Sequence, residues 1–480
     1  MRMRALPLVT VCVSMLAACS GNDSAAEEGA KSEVGAAGVL VTRIAIYQGV
    51  ERDLMVNGAP AQSSVPLIAG RDAMVRVFYA TDSKYDGHPV RARLKLGAGA
   101  PLEQFTALGR ISSQADLAST IDFDVPGARI GDTLSYAVSL LQPGDADHAE
   151  AHYPADGLAS VPVEGKQNTL RMIIVPFRYD TDGSGRLPDT SPEQVERIRQ
   201  RFLQLYPVSN VEMSVHEPVP WTQAITKDGT GWQGVGVKLF SIRTGEHIPD
   251  DTYLYGMFNP NESFAQYCGF GCMLGVTLLN NNPPDVGTVG LRLALGVGYT
   301  EYAADTAAHE TGHAHGREHA NCGPGLDPQS VDQSFPYPKG SIGTWGYDRF
   351  ARQLVDPSVY SDIMGYCDKK WISDYNYAAL HARGQRINLP SVQGPATEYD
   401  LVAVDGAGVV EWGPSVLRDA TFAGAPLPVT VRAGAETRTV EAQFFPYDHM
   451  PGGWLFVPRT SAAPSAVSLT VDGMRVEAAR

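Results

Sequence analysis

Basic charge and long apolar runs are what this 480-residue chain has least of. Lys and Arg number 38 against 53 Asp and Glu, a formal net charge of −15, and a surface of that sign repels phosphate backbones, so nucleic acid is excluded as an expected partner. Apart from one short run near the start, no window is long and apolar enough to span a bilayer. Cysteine is scarce, six in all, and its spacing is not that of a zinc ribbon. With 49 Gly and 33 Pro, turns interrupt the chain too often for a mostly helical fold. What remains is the composition of a globular protein, 44% hydrophobic and 19% charged, at a length that suits two or three domains.

The opening "MRMRALPLVTVCVSMLAACS" places two arginines before a short apolar stretch that ends in small residues, the layout of an export signal over residues 1–18. "LAAC" resembles the lipobox of bacterial lipoproteins, which implies lipidation of Cys19 and anchoring at a membrane; the alternative is a plain secretory signal with a chance cysteine. Ser20, rather than aspartate, follows the cysteine, and the resemblance then implies the outer membrane of a Gram-negative cell envelope. Loss of Arg2 and Arg4 with the signal, and of no acid, takes the formal charge from −15 to −17. Residues 19–37 are small, polar and acidic, as expected of a flexible tether. Four cysteines remain in an exported chain, Cys268, Cys272, Cys322 and Cys367, and two disulfides are expected from three connectivities. The pairs Cys268–Cys272 and Cys322–Cys367 are favoured, against free thiols or a metal cluster.

From residue 38 to 165, runs such as "VLVTRIAIYQG", "DAMVRVFYATD" and "DTLSYAVSLLQPG" alternate between Gly, Asp and Pro turns and predict a β-sandwich, as a spacer or a carbohydrate- or protein-binding module. Residues 166–389 mix element types. "LRMIIVPFRY" predicts a strand, and "SPEQVERIRQRFLQLYP" a helix capped by Ser191, with Gln194 completing a capping box and Val195, Ile198, Phe202 and Leu205 as its apolar stripe. "VEMSVHEPV", "GVGVKLFSI" and "TYLYGMF" read as further strands, giving an α+β domain. "DTDGSGRLPDTS" imitates a calcium loop at Asp180, Asp182 and Gly185, but Ser191 stands where a bidentate glutamate belongs, so calcium is a weak expectation beside a simple turn. Residues 390–480 return to short strands and predict a small C-terminal β domain.

The chemistry concentrates in "HETGHAHGREH". His309 and His313 are four apart and share one helical face, as two imidazoles must to reach one metal. Glu310 lies beside the first without being a ligand. Gly316 lets the backbone leave the helix at positive φ and can bring His319 round as a third nitrogen. His315 faces elsewhere, toward solvent or behind the ligands, and His216 and Asp305 take no catalytic role.

The pattern H-E-x-x-H-x-x-G-x-x-H resembles that of the metzincin clan of zinc endopeptidases, and "DIMGYC", 45 residues beyond His319 at its methionine, is similar to the clan's Met-turn. The resemblance implies His309, His313 and His319 as zinc ligands, Glu310 as general base, Met364 as an apolar floor beneath the ligands and Tyr366 as a helper to the oxyanion, the alternative for Tyr366 being a packing aromatic. It also implies an α+β metzincin-like zincin catalytic domain between two β domains, and peptide hydrolysis by metal-activated water. An extended substrate would pair with an edge strand in "GCMLGVTLLN", and Trp371, Tyr375 and Tyr377 are candidates for a substrate pocket, or else core of a terminal helix. "FPYPKGSIGTWGYD" is a candidate rim loop. An exported, anchored chain of this kind resembles large bacterial secreted members of the clan, including the group that cleaves mucins and glycoproteins, which implies extracellular or envelope protein and glycoprotein substrates. The rival reading is a surface-anchored glycan- or protein-binding protein whose zinc site is structural or degenerate; Glu310 argues against it, because a structural site needs no adjacent base.

Overall fold

The structure, a computed structural model, describes residues 32–165, 168–269, 271–279, 291–326, 328–387, 396–418, 422, 424–459 and 462–480. The expected signal, Cys19 and most of the tether lie outside them. Among the described residues no helix is long and apolar enough to cross a membrane.

In the N-terminal region two antiparallel sheets face each other. One centres on Val39–Tyr47, the other on Thr133–Pro143. Strict alternation along the second of these strands turns Leu134, Tyr136, Val138 and Leu140 inward, where they meet Ile44, Ile46, Val75 and Val77 of the first sheet. The expected tether does not extend to residue 37, because Glu33–Gly35 already pairs with Leu141–Pro143.

The middle of the chain builds a twisted mixed sheet on Thr169–Tyr179, which runs parallel to Asn210–Val215, Val219–Trp221 and Thr252–Phe258. Leu293–Val297 continues it in parallel, and Gly275–Thr277 closes it as an antiparallel edge. Helix α1, Pro192–Leu205, buries Ile198, Phe202 and Leu205. Ser191 caps it by accepting from the Gln194 amide, but the reciprocal half of the expected capping box is absent: the Gln194 side chain donates instead to Thr300 O at 3.2 Å. A second expectation fails at "GVGVKLFSI", which lies within helix α2, Trp232–Gly245. Its alternating Gly and Val imitate a strand period, yet the segment is buried on nearly every side, so helical periodicity is invisible. Gly236 is glycine because a Cβ there would press on the Trp454 ring at 3.2 Å. Short α3, Phe264–Cys268, precedes α4, Ala303–Ala314, and α5, Asp374–Ile387.

The C-terminal region is one antiparallel sheet of seven strands, with Thr397–Asp405 and Gly452–Pro458 side by side near one end. Tyr399, Leu401, Ala403, Phe445, Trp454 and Phe456 face α2 and join one continuous core with Trp221, Trp232, Leu239 and Phe240. Phe240 meets Trp454 and Phe456 edge to face at 5.4 and 5.7 Å. The alternate residues Val402 and Val404 build a second core on the other face, with Val429, Val431 and Leu455.

These observations correct the expected fold class. The chain is mostly β, 42% strand against 17% helix, with five α-helices among the described residues, and it contains no α+β metzincin-like catalytic domain with β modules hung on either side. The helices are too few, and α2 lies between two sheets whose apolar faces it joins, so the middle and C-terminal regions have no core boundary between them.

Candidate metal centre

Helix α4 enters the interior along a small-residue face, with Ala303, Ala307 and Ala308 fully buried, and carries His309, Glu310 and His313 with it. Tyr206, just past the end of α1, donates its hydroxyl to Ala308 O at 2.6 Å and fixes the helix against its neighbour. Gly316 then takes φ 79°, a conformation open to glycine, and the chain doubles back through His319. The return is held by main-chain bonds: the His319 amide donates to Ser330 O at 3.0 Å, Ala320 to Met364 O at 3.1 Å and Tyr366 to Cys322 O at 2.6 Å. Disulfide Cys322–Cys367 closes the same loop, and Cys268–Cys272 is the second pair.

Met364 lies under the helix, 1% exposed, where a Cβ on Gly312 would come within 2.5 Å of its sulfur. Buried Asp362 shapes this turn. It accepts from the Met364 amide and Asn376 Nδ2 through one oxygen, and from the Ser373 amide through the other, at 2.8 to 2.9 Å.

His309, His313 and His319 converge, and a fourth imidazole joins them. His449 comes from the turn that follows strand Glu436–Pro446 in the C-terminal sheet. One nitrogen from each of the four lies within 4.8 Å of the others; Nε2 of His309 and His313 are 3.0 Å apart, and Nε2 of His319 and His449 3.1 Å. On the α4 histidines the outer nitrogens are tethered, His309 Nδ1 to Ile363 O at 2.7 Å and His313 Nδ1 to Arg317 O at 2.5 Å, while His319 Nδ1 meets Ser330 Oγ at 3.0 Å. An Nδ1–H spent on a carbonyl leaves Nε2 with its lone pair facing inward, the state a metal ligand needs. Burial works in the same direction. It drives His309 well below the usual imidazole range, His313 to about 4 and His319 to about 2, with neighbouring imidazoles adding to the shift for His309 and His319. The buried cluster could therefore hold a metal ion.

Glu310 packs so closely against the edge strand that a Cβ on Gly275 would come 2.3 Å from its Oε1. Its carboxyl groups with Asp448 and His449 within 4.8 Å. Burial first, and the facing Asp448 second, push Glu310 well above the usual carboxylate range. Glu310 Oε2, Asp448 Oδ2 and His449 Nδ1 are all buried without a hydrogen-bond partner, although Asp448 Oδ2 lies 2.9 Å from His449 Nδ1. Such a knot of orphaned polar atoms fits a place built for a cation or a transferable proton. Tyr366 brings its hydroxyl to 3.2 Å from His319 Nε2, and burial keeps the phenol protonated. A cavity of about 250 Å³ opens beside the cluster, walled by Met273, Leu274, Gly275, Thr306 and Lys370.

The expected pocket aromatics are elsewhere. Trp371 and Tyr377 are buried and donate to Gly49 O and Gln48 O of the N-terminal region, and Tyr375 donates to Asp332 under the Arg317 guanidinium. They are seam and core residues because Trp371 and Tyr377 turn to the sandwich, while Lys370 in the same stretch reaches the cavity wall. "FPYPKGSIGTWGYD" also runs toward the sandwich, Gly346 bridging to Val50. His315 is neither solvent-facing nor behind the ligands: it is core, stacked on Tyr253 at 4.9 Å. Asp305 pairs with Arg201 at 2.6 Å and His216 with Glu246 at 3.0 Å. In the loop that imitates a calcium site, Asp182 accepts from Ser184 and Arg186, and the loop is not among the groups of described residues that could hold a metal ion. Asp448, His449 and Lys370 were missed by sequence reasoning. The only trace of the first two is an acid and a histidine together in "PYDHMPGG", 130 residues beyond His319.

No family model matches the chain, and no curated protein does. Among solved structures, one described as the structure of a chaperone–substrate complex is similar over 56% of this chain and 39% of its own, at 11% identity and a TM-score of 0.25. A likeness at that level bears on neither fold nor function.

Proposed function

We propose that this chain is a zinc-dependent endopeptidase of protein or glycoprotein substrates, exported and anchored through Cys19. One observation carries the reading: Glu310, set between two of the histidines, is 1% exposed and turns its carboxyl into the same chamber as the imidazole nitrogens, next to an open cavity. A site meant only to hold the fold together has no use for a buried carboxyl at that place. His309, His313 and His319 would hold the metal, and nitrogen donors in this number suit zinc. When bound, the ion supplies Lewis acidity and lowers the pKa of water. Glu310 would take the proton of the attacking water and return it to the leaving amine. Tyr366, kept protonated, donates to the oxygen that becomes negative. The motif resemblance to metzincins supports a peptide substrate through these residues alone, and not through the fold. Two disulfides support an oxidising compartment.

The test is incubation with a denatured proteome and with glycoproteins, beside a chelator control and Glu310→Gln, followed by sequencing of new amino termini. Glu310→Gln is expected to keep the metal and lose about 10²–10⁴-fold in turnover. Unchanged cleavage by that variant would sink the assignment.

A specific observation favours a second reading. His449 offers a fourth imidazole, and four protein ligands around one ion make a closed, structural site that clasps the C-terminal sheet to α4. The chain would then be a surface module binding glycan or protein. Intact substrates, measurable glycan or protein affinity and unfolding on chelation would favour it.

A further inference from the structure

The edge strand Gly275–Thr277 pairs with Leu293–Val297 on its inner side. Its outer side is already taken by the chain itself. The Leu279 amide donates to Pro446 O at 2.9 Å, the Asp448 amide to Thr277 O at 3.2 Å, and Tyr447 bridges Leu278 in antiparallel register. The Thr277 amide, the next donor along this edge, is satisfied by the Asp448 side chain at 3.0 Å. Pro446–Asp448 thus lies along the edge through a single antiparallel bridge. The residue that follows it, His449, reaches Nε2 to 3.1 Å from His319 Nε2, and Asp448 faces Glu310. An extended segment on a sheet edge that delivers one side chain to the metal ligands and another to the general base occupies the place an extended peptide needs for hydrolysis there.

We propose that the resting chain closes its own metal site with Asp448 and His449, and that a substrate peptide has to displace them. This rests on the hydrolase reading above. Exchange does not require the C-terminal sheet to leave. Tyr447 and Trp454 are locked together, Trp454 Nε1 donating to Tyr447 OH at 2.9 Å, and both belong to the core around α2. Between them residues 448–451 form no regular element and end at Gly452, φ 96°. That turn alone has to swing for His449 and Asp448 to withdraw, which frees the Thr277 amide and carbonyl for an incoming peptide while Pro446 and Tyr447 stay on Leu279 and Leu278. His449 therefore holds the resting site closed, and substrate competes with it.

The experiment uses the full mature chain loaded with cobalt(II), whose visible spectrum reports its ligands, with azide as a small probe of an open position and a mixture of fluorogenic peptides as substrate. Wild type is expected to ignore azide. His449→Ala is expected to change spectrum on azide addition, to keep one metal per chain, and to cut peptides about tenfold faster or more, the gain when a competent state held by about a tenth of the molecules becomes the whole population. His449→Asn serves as the second variant should the first fail to fold. Azide binding by wild type, or slower cleavage by both variants, overturns the proposal. If azide enters the variants and none of the proteins cuts a peptide, the hydrolase reading falls and takes the competition by substrate with it, while the closed fourth position stands.

Discussion

The N-terminal sandwich has an apolar core of its own, in which Val75, Val77, Val138 and Leu140 face one another, and its joint with the middle of the chain combines apolar contacts of Val50, Ile68 and Met74 with a seam of directed bonds. There Arg71 donates to Leu203 O at 2.6 Å, to Val208 O at 2.7 Å and to Tyr206 O, Trp371 donates to Gly49 O, and Tyr377 to Gln48 O. The C-terminal sheet is joined differently. It gives a whole apolar face to α2 and sends Asp448 and His449 into the metal cluster. Two regions that look alike in sequence, short strands between Gly and Pro turns, thus differ in kind: one is an attached domain, the other a wall of the site. Composition and alternation describe a sheet, but not what its buried face is buried against.

The largest effect should come from the shared face. Trp454→Ala removes an indole that fills the space between Phe240 and Gly236, and large-to-small changes of that type cost about 3–5 kcal/mol. Because His449 is carried on the turn that precedes Trp454, metal affinity should fall together with stability. Urea unfolding, followed side by side with cobalt titration, checks both. A loss below about 1 kcal/mol with unchanged cobalt binding would mean that the sheet is an appendage after all.

Arg71→Ala probes the other joint. It leaves buried carbonyls of α1 and its exit without their donor, a cost of about 1–3 kcal/mol. Here the expected partition is the reverse: the urea midpoint drops, while cobalt binding and the proposed Glu310-dependent cleavage do not change, because the histidine cluster and the cavity beside it draw no residue from the N-terminal region among the described residues. Loss of metal affinity in Arg71→Ala would erase the distinction between the two regions.

The same distinction explains what could be read in advance. His309, His313 and His319 were legible because a helix and one glycine turn place them within eleven residues, where periodicity determines geometry. Met364 and Cys367 were legible through a local motif and an even cysteine count. His449 was not, because its approach depends on a strand register set by Trp454, Tyr447 and Leu278, long-range packing that leaves no local pattern. The α2 segment was misread for a related reason. Glycines placed for close approach to Trp454 and Trp221 produced an alternation that belongs to strands. The fold class failed with it, since a buried helix taken as a strand hides the shared core.

The smallest effect should be a change of slope with pH, at the far side of the C-terminal sheet. Asp400 alternates with Leu401 and so lies on the face with Val402 and Val404, away from α2. Burial raises its carboxyl, but Arg459, Ser415 and Arg480 outweigh burial and hold it below the usual range. Arg459 lies 2.5 Å and Arg480 2.9 Å from the same oxygen, and Arg459 also pairs with Glu398. A carboxyl whose folded pKa is depressed contributes stability that is fully present above its unfolded pKa, about 3.9, and is lost as pH falls through the lower folded value. Asp400→Asn should therefore lower the urea midpoint near neutral pH and flatten its decline in the acid window below about pH 4. Cobalt binding at neutral pH should be untouched, because the face that reaches the metal site is the other one. A fall in metal affinity as large as that of Trp454→Ala would show that the whole sheet, rather than its α2 face, governs the site.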